Sequence, residues 1–208
     1  MGEVGCLKDG HFQNLQVEGK ITASSVSRDF RGDDIAVSET TYGVGVVGVL
    51  SGSRVPELRR WTENGIIITQ LKVDITGLSA KGTAADVIGL ATGGVAFIYK
   101  NVVSDNGIIF KITVACIELP GEETATITTD IDFAFNANGA LAYDEGAGTS
   151  TLLDMGTSVA GTTKEFVNVP ITTNHYMYIT EGAGGSASTG LYSAGQYIIT
   201  FYGATLFT

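Results

Sequence analysis

The sequence predicts an all-β protein: a two-sheet, jelly-roll-like β-sandwich over residues 39–208, carrying an extended N-terminal arm over residues 1–38. Three observations predict it. Short runs rich in Val, Ile, Thr, Tyr and Phe recur along the chain, bounded by many of its 28 glycines. Several of these runs alternate apolar and polar residues, the period of a half-buried strand. Charged residues make up 16% of the chain, against roughly 25% in an ordinary soluble domain, and blocks of helix-forming Lys, Glu and Ala are absent. With 208 residues, 44% of them hydrophobic, the chain can bury a core, which argues against wholesale disorder.

The first 38 residues are sparse in apolar side chains. Phe12, Leu15, Val17 and Ile21 roughly alternate and predict one short strand. The rest, including Arg28 and Arg31, reads as extended chain. Two alternatives stand: an arm that orders on a partner, or a chain end without fixed structure. Next, Thr40–Leu50 is β-rich, with Gly43, Gly45 and Gly48 marking bulges or close backbone approach. Pro56 breaks the following piece, Ser53–Trp61, which reads as a helical turn or a loop carrying Arg54, Arg59 and Arg60.

Four strands are well marked. In Gly65–Thr76, Leu71, Val73 and Ile75 share one face. In Ile108–Ile117 the buried face is Ile108, Phe110, Ile112, Val114 and Cys116. In Thr124–Phe135, Ile127, Ile131, Phe133 and Phe135 alternate with Asp130 and Asp132. Gly195–Gly203 is apolar enough for burial on both faces. A one-residue slip would expose any of these faces. Weaker strands fall at Val95–Val102, Ala140–Tyr143, Phe166–Ile171 and His175–Thr180, giving roughly nine strands in all. Asp105-Asn106-Gly107 reads as a hairpin signal, because Asn-Gly tolerates φ > 0 at both turn positions. Ser79–Leu90 is either a helix weakened by two glycines or a loop with one helical turn. Glu181–Gly190, rich in Gly and Ser, reads as a mobile loop within the same domain.

The net charge of −10 is unevenly spread. Beyond Pro120 there are nine acids and a single base, Lys164. Such a surface repels phosphate and argues against nucleic acid as a partner. No apolar run reaches the ~20 residues that cross a bilayer. Neither a secretory signal nor a myristoylation pattern opens the chain. The expectation is a protein made and kept soluble in a cytoplasm, with no membrane partner. Cys6 and Cys116 do not form a disulfide framework: Cys116 lies in an apolar run and reads as a small buried hydrophobe, and Cys6 falls in the arm as a free thiol.

Chemistry-bearing patterns are few. His11 and His175 stand apart, and no His/Cys group has zinc spacing. A nucleophile elbow, a Walker loop and a dinucleotide fingerprint are all missing, so no catalytic residue, cofactor or metal is expected. Asp130 and Asp132 would sit about 7 Å apart on one strand face. They read as two solvated acids, with a calcium site or a glycosidase-like carboxylate pair as the alternatives. Tyr176, Tyr178, Tyr192, Tyr197, Phe201 and Tyr202 read as a sandwich core with tyrosines at its rim, or else as a sugar- or protein-binding surface. Arg54, Arg59 and Arg60 are candidates for contact with an acidic partner, a second copy of this chain included.

Four segments carry a resemblance: Ala80–Leu90, Thr128–Asp132, Tyr176–Gly182 and Gly195–Gly203. Across residues 65–203 the chain resembles virion structural proteins of marine tailed bacteriophages, similar to capsid decoration or cement proteins. The resemblance implies a β-rich domain seated on the major capsid protein lattice, often as a homodimer or homotrimer. It carries over no site residue. On that expectation the capsid-contact candidates are Phe12, Leu15, Val17, Arg28, Arg31, Arg54, Arg59 and Arg60, and the protein resides on the capsid surface of the virion. The rival expectations are another virion part (tail, head-fibre or appendage) and a carbohydrate-binding β-sandwich. An enzyme ranks last, since no nucleophile–base pair can be assembled.

Overall fold

The computed structural model describes residues 42–46, 56–122, 129–148, 151–182 and 190–204. The expected arm, Ile127, and most of the Glu181–Gly190 loop lie outside them. Ten strands run through the described residues: β1 (Glu57–Glu63), β2 (Ile66–Asp74), β3 (Ser79–Ala80), β4 (Phe97–Lys100), β5 (Ile108–Glu122), β6 (Ile131–Asn136), β7 (Leu152–Leu153), β8 (Thr163–Val167), β9 (Tyr176–Glu181) and β10 (Gly190–Ala204). They form two antiparallel sheets, as expected of an all-β sandwich. The larger has the order β1-β2-β10-β5-β8, with β3 beside the start of β10. The smaller has the order β4-β9-β6-β7.

β1 and β2 form a hairpin in full register from Glu57↔Lys72 to Glu63↔Ile66. Its two-residue turn is Asn64-Gly65, with φ of +50° and +79°. Both central residues of this turn need positive φ, and Asn-Gly supplies it at least cost. The helical turn or loop expected up to Trp61 is therefore a strand instead: Pro56 stands just ahead of β1, where it removes no ladder bond. β2 keeps its expected faces, with Leu71, Val73 and Ile75 at 0–2% exposure.

β10 is the middle strand of the larger sheet, paired along most of its length to β2 on one side and β5 on the other. Its inward face, Tyr197, Ile199 and Phe201, is almost completely buried. The outward face is mixed: Thr200 is 8% exposed while Ile198 and Tyr202 stay partly exposed, so burial on that side of the run is incomplete.

On β5 the alternation holds for Ile112, Val114 and Cys116, each at 0% exposure, and fails before them. Tyr202 faces Lys111 while Gly203 faces Ile109, so β5 carries an extra residue at Phe110. Such a bulge resets which side chains point inward. Ile109 is buried, and Ile108 and Phe110, expected inside, are 51% and 39% exposed.

Between β4 and β5 there is no hairpin. Val103–Asn106 forms one helical turn, α1, and Gly107 follows with φ of +65°. The chain crosses here from the smaller sheet to the larger. A Cβ on Gly203 would overlap the Asn106 carbonyl oxygen, so β10 runs against this turn with room only for glycine.

The core lies between the sheets. Phe133 meets Tyr197 edge-on at 5.5 Å, Tyr99 stacks on Phe201 at 5.1 Å, and Phe135 meets Phe201 at 6.3 Å. These spacings suit aromatic pairs, each adding ~1 kcal/mol beyond its burial. The outer face of the smaller sheet is covered too. Asp132, Ala134, Tyr178 and Thr180 are all at 0–2% exposure. Residues 85–88 extend this sheet beside β9, and Ala142 bridges to Val95, so the expected strand Ala140–Tyr143 is a single bridge within a covering loop. Ser79–Leu90 holds β3 and turns in place of a helix, and Val44–Val46 in the β-rich stretch is a 3-10 turn.

Candidate functional site

Polar side chains gather at the two ends of the sandwich. At the α1 end, Asn106 is 1% exposed and its Oδ1 is a shared acceptor. It receives hydrogen bonds from Thr69 Oγ1 (2.9 Å), Tyr99 hydroxyl (2.7 Å) and Arg60 Nη2 (3.4 Å). Its Nδ2 donates to Asn101 Oδ1 at 2.9 Å, and Asn101 Nδ2 donates to the Thr172 carbonyl at 3.2 Å. Arg60 also donates from Nε to Thr69 and pairs with Asp105 at 3.4 Å. This network joins β1 and β2 of the larger sheet to β4 of the smaller one. Burial, above all, raises the Tyr99 hydroxyl pKa, so it stays a neutral donor.

The other end is acidic. Glu181, at the end of β9, is 1% exposed. Its carboxylate accepts the backbone N–H groups of Lys81 (2.5 Å) and Gly82 (2.8 Å), fastening the turn after β3. Desolvation is the largest influence on it and moves its pKa up, and Asp86 and Asp144 add to the rise. Asp132 accepts the Met155 N–H at 2.6 Å. Burial, then the nearby Asp130 and Asp154 charges, push it up to about 6. Asp130 and Asp132 were expected as two solvated acids; Asp132 is instead enclosed, because the covering segments close over the outer face of its sheet. Thr180, its cross-strand neighbour, has a buried hydroxyl with no hydrogen-bond partner. Among the described residues no group of three or more His, Cys, Asp or Glu side chains is arranged to hold a metal ion.

Of the candidate contact residues, Phe12, Leu15, Val17, Arg28, Arg31 and Arg54 lie outside the described residues. Arg59 is exposed on β1. Arg60 points the opposite way, its side chain 15% exposed and bonded within its own molecule. The two arginines are adjacent in sequence, and strand alternation sends them to opposite faces. Tyr178, Tyr192 and Tyr197 are core residues at 0% exposure, and Tyr176 and Tyr202 are partly exposed. The Tyr197 hydroxyl is 2.8 Å from Ser158 Oγ. Cys116 is buried, its thiol pKa raised first by desolvation. His175 precedes β9, and its Nδ1 is buried without a partner.

No family model, curated protein or solved structure matches this chain.

Proposed function

We propose that the chain is a non-catalytic structural protein of a tailed-phage particle, a capsid decoration or cement protein that binds the outer surface of the major capsid protein lattice and stabilises the head. The observation that carries this reading is where the polar chemistry goes. Arg60, Asn106, Glu181 and the Tyr197–Ser158 pair are all committed to tying elements of one body together. A shell-binding protein needs such a stiff body, because it resists internal pressure through its shape. The resemblance of the four sequence segments supports the same reading, and so does the low charge content, which suits closely repeated contacts. The carbohydrate-binding alternative needs exposed aromatic rings, and three of its six aromatic candidates are core tyrosines. A tail or appendage protein would share the fold.

Electron microscopy of purified particles, with mass spectrometry of their protein content, tests the proposal. The expected result is one density per lattice contact on the head exterior, at stoichiometry with the major capsid protein. Density on the tail would transfer the protein to the rival virion role, and its absence from particles would end both.

A further inference from the structure

We propose that the outer face of the six-stranded sheet is a self-association surface, on which a second copy of this chain stacks face to face. The inference concerns the purified protein alone and stands whether or not the particle reading holds.

Strand register lines up Trp61, Ile68, Tyr202, Lys111 and Val167 in one row across β1, β2, β10, β5 and β8. Arg60 reaches the buried Tyr99 and Asn106, so Trp61 beside it faces outward by the period of two. Lys111 Nζ lies 5.1 Å from the Tyr202 ring centre and 2.5 Å from Glu165 Oε2, which places those three side chains on the same outer face. The bulge adds Phe110 to the row and leaves Ile108 beyond it. Val167, Ile108 and Phe110 are 58%, 51% and 39% exposed. The apolar stripe therefore arises from an irregularity that turns two large side chains away from the core.

Size and charge favour a second copy as the occupant. Five strands at ~4.8 Å by nine residues of β2 at ~3.3 Å give a face of about 700 Å². A stable interface takes about 800 Å² from each partner. The charges around the stripe are mixed, Arg59, Lys72 and Lys111 with Glu57, Glu63, Asp74 and Glu165. A two-fold-related copy meets both signs and can pair them, which is the requirement of an isologous contact. A phosphate-rich partner or an anionic membrane would instead select a face of one sign. Elsewhere the net charge of −10 makes two copies repel. An apolar and aromatic stripe flanked by charged side chains is also a common make-up of a protein interface.

Trp61 is the sole tryptophan and reports on the face directly. Sedimentation equilibrium of the full chain, with Trp61 emission and iodide quenching across the same concentration range, tests the proposal. The expected species is twice the 21.7 kDa chain mass, with Trp61 shielded from iodide in step with association. Val167→Lys and Phe110→Lys should each weaken association by about 30-fold and restore quenching, with an unchanged circular dichroism spectrum. A monomer at every concentration overturns the proposal, whether Trp61 is quenched freely or is shielded by its own chain. So does an oligomer whose Trp61 quenching ignores concentration, or one that both substitutions leave intact. Wild-type protein alone decides the quenching arm, should a variant fail to fold.

Discussion

The two ends of the sandwich solve the same problem with opposite chemistry. Each must hold the two sheets together where the apolar core runs out. At the α1 end the solution is neutral apart from the Arg60–Asp105 pair and is fully shared: three donors converge on one Asn106 oxygen, and every member bonds another. At the Glu181 end the solution uses buried carboxylates, with like charges on Asp86, Asp130, Asp144 and Asp154 nearby. A satisfied buried network strengthens a fold with little dependence on solvent conditions. Buried acids make the other end depend on pH.

The largest effect should come from breaking the neutral end. Asn106→Ala strands Thr69, Tyr99 and Asn101 in the interior, and should cost about 3–5 kcal/mol in urea unfolding, since each orphaned buried group carries its own desolvation penalty. Glu181→Ala leaves two backbone N–H groups unpaired but also removes a buried charge. A smaller loss of about 1–3 kcal/mol is expected by the same measurement, with hydrogen exchange quickening first at Lys81 and Gly82.

Asp132→Asn should go the other way. The carboxyl of Asp132 is raised to about 6 in the folded protein from an ordinary 3.8. A group shifted upward favours the folded state when protonated; that contribution is complete below pH 3.8 and is lost as pH rises through about 6. Asparagine keeps an acceptor for the Met155 N–H and never ionises. At pH 7.5 the variant should be more stable by about 1–2 kcal/mol, and at pH 3.5 the two should melt alike. A flat pH dependence of the difference would remove the contrast between the ends. The smallest effect is expected from Ser158→Ala, which takes one partner from the Tyr197 hydroxyl at a cost of about 1 kcal/mol in chemical denaturation.

Much of the fold was legible from period-two alternation, and its failures are physical. β2 shows its buried face directly where fully buried Leu71 and Val73 alternate with partly exposed Gln70, Lys72 and Asp74. β5 misleads at Ile108 and Phe110 because an extra residue resets the alternation, and nothing in an apolar run of Ile-Ile-Phe marks where a bulge falls. Asn106-Gly107 carries the Asn-Gly signal too, yet there Asn106 is a buried network acceptor. The true hairpin is Asn64-Gly65, whose flanking Arg59-Arg60-Trp61 and Glu63 hid a strand at the sheet edge. Charge on an edge strand is common, since it discourages stray pairing. Asp132 looked solvated because its strand alternates cleanly. Its enclosure involves Met155, 23 positions away in sequence, a tertiary effect that no local pattern carries. The outer-face row was unreadable for the same reason: it exists only once five strands are in register.

β10 bears on how the molecule comes together. It follows β2 by more than a hundred residues and β5 by nearly seventy, yet it lies between them. Until it inserts, each of those strands presents a raw edge able to accept a strand from a neighbouring molecule. The late wedge makes folding slow, with milliseconds to seconds expected for so non-local a topology. At the concentrations of abundant synthesis, that interval is when exchange of β10 between chains would occur.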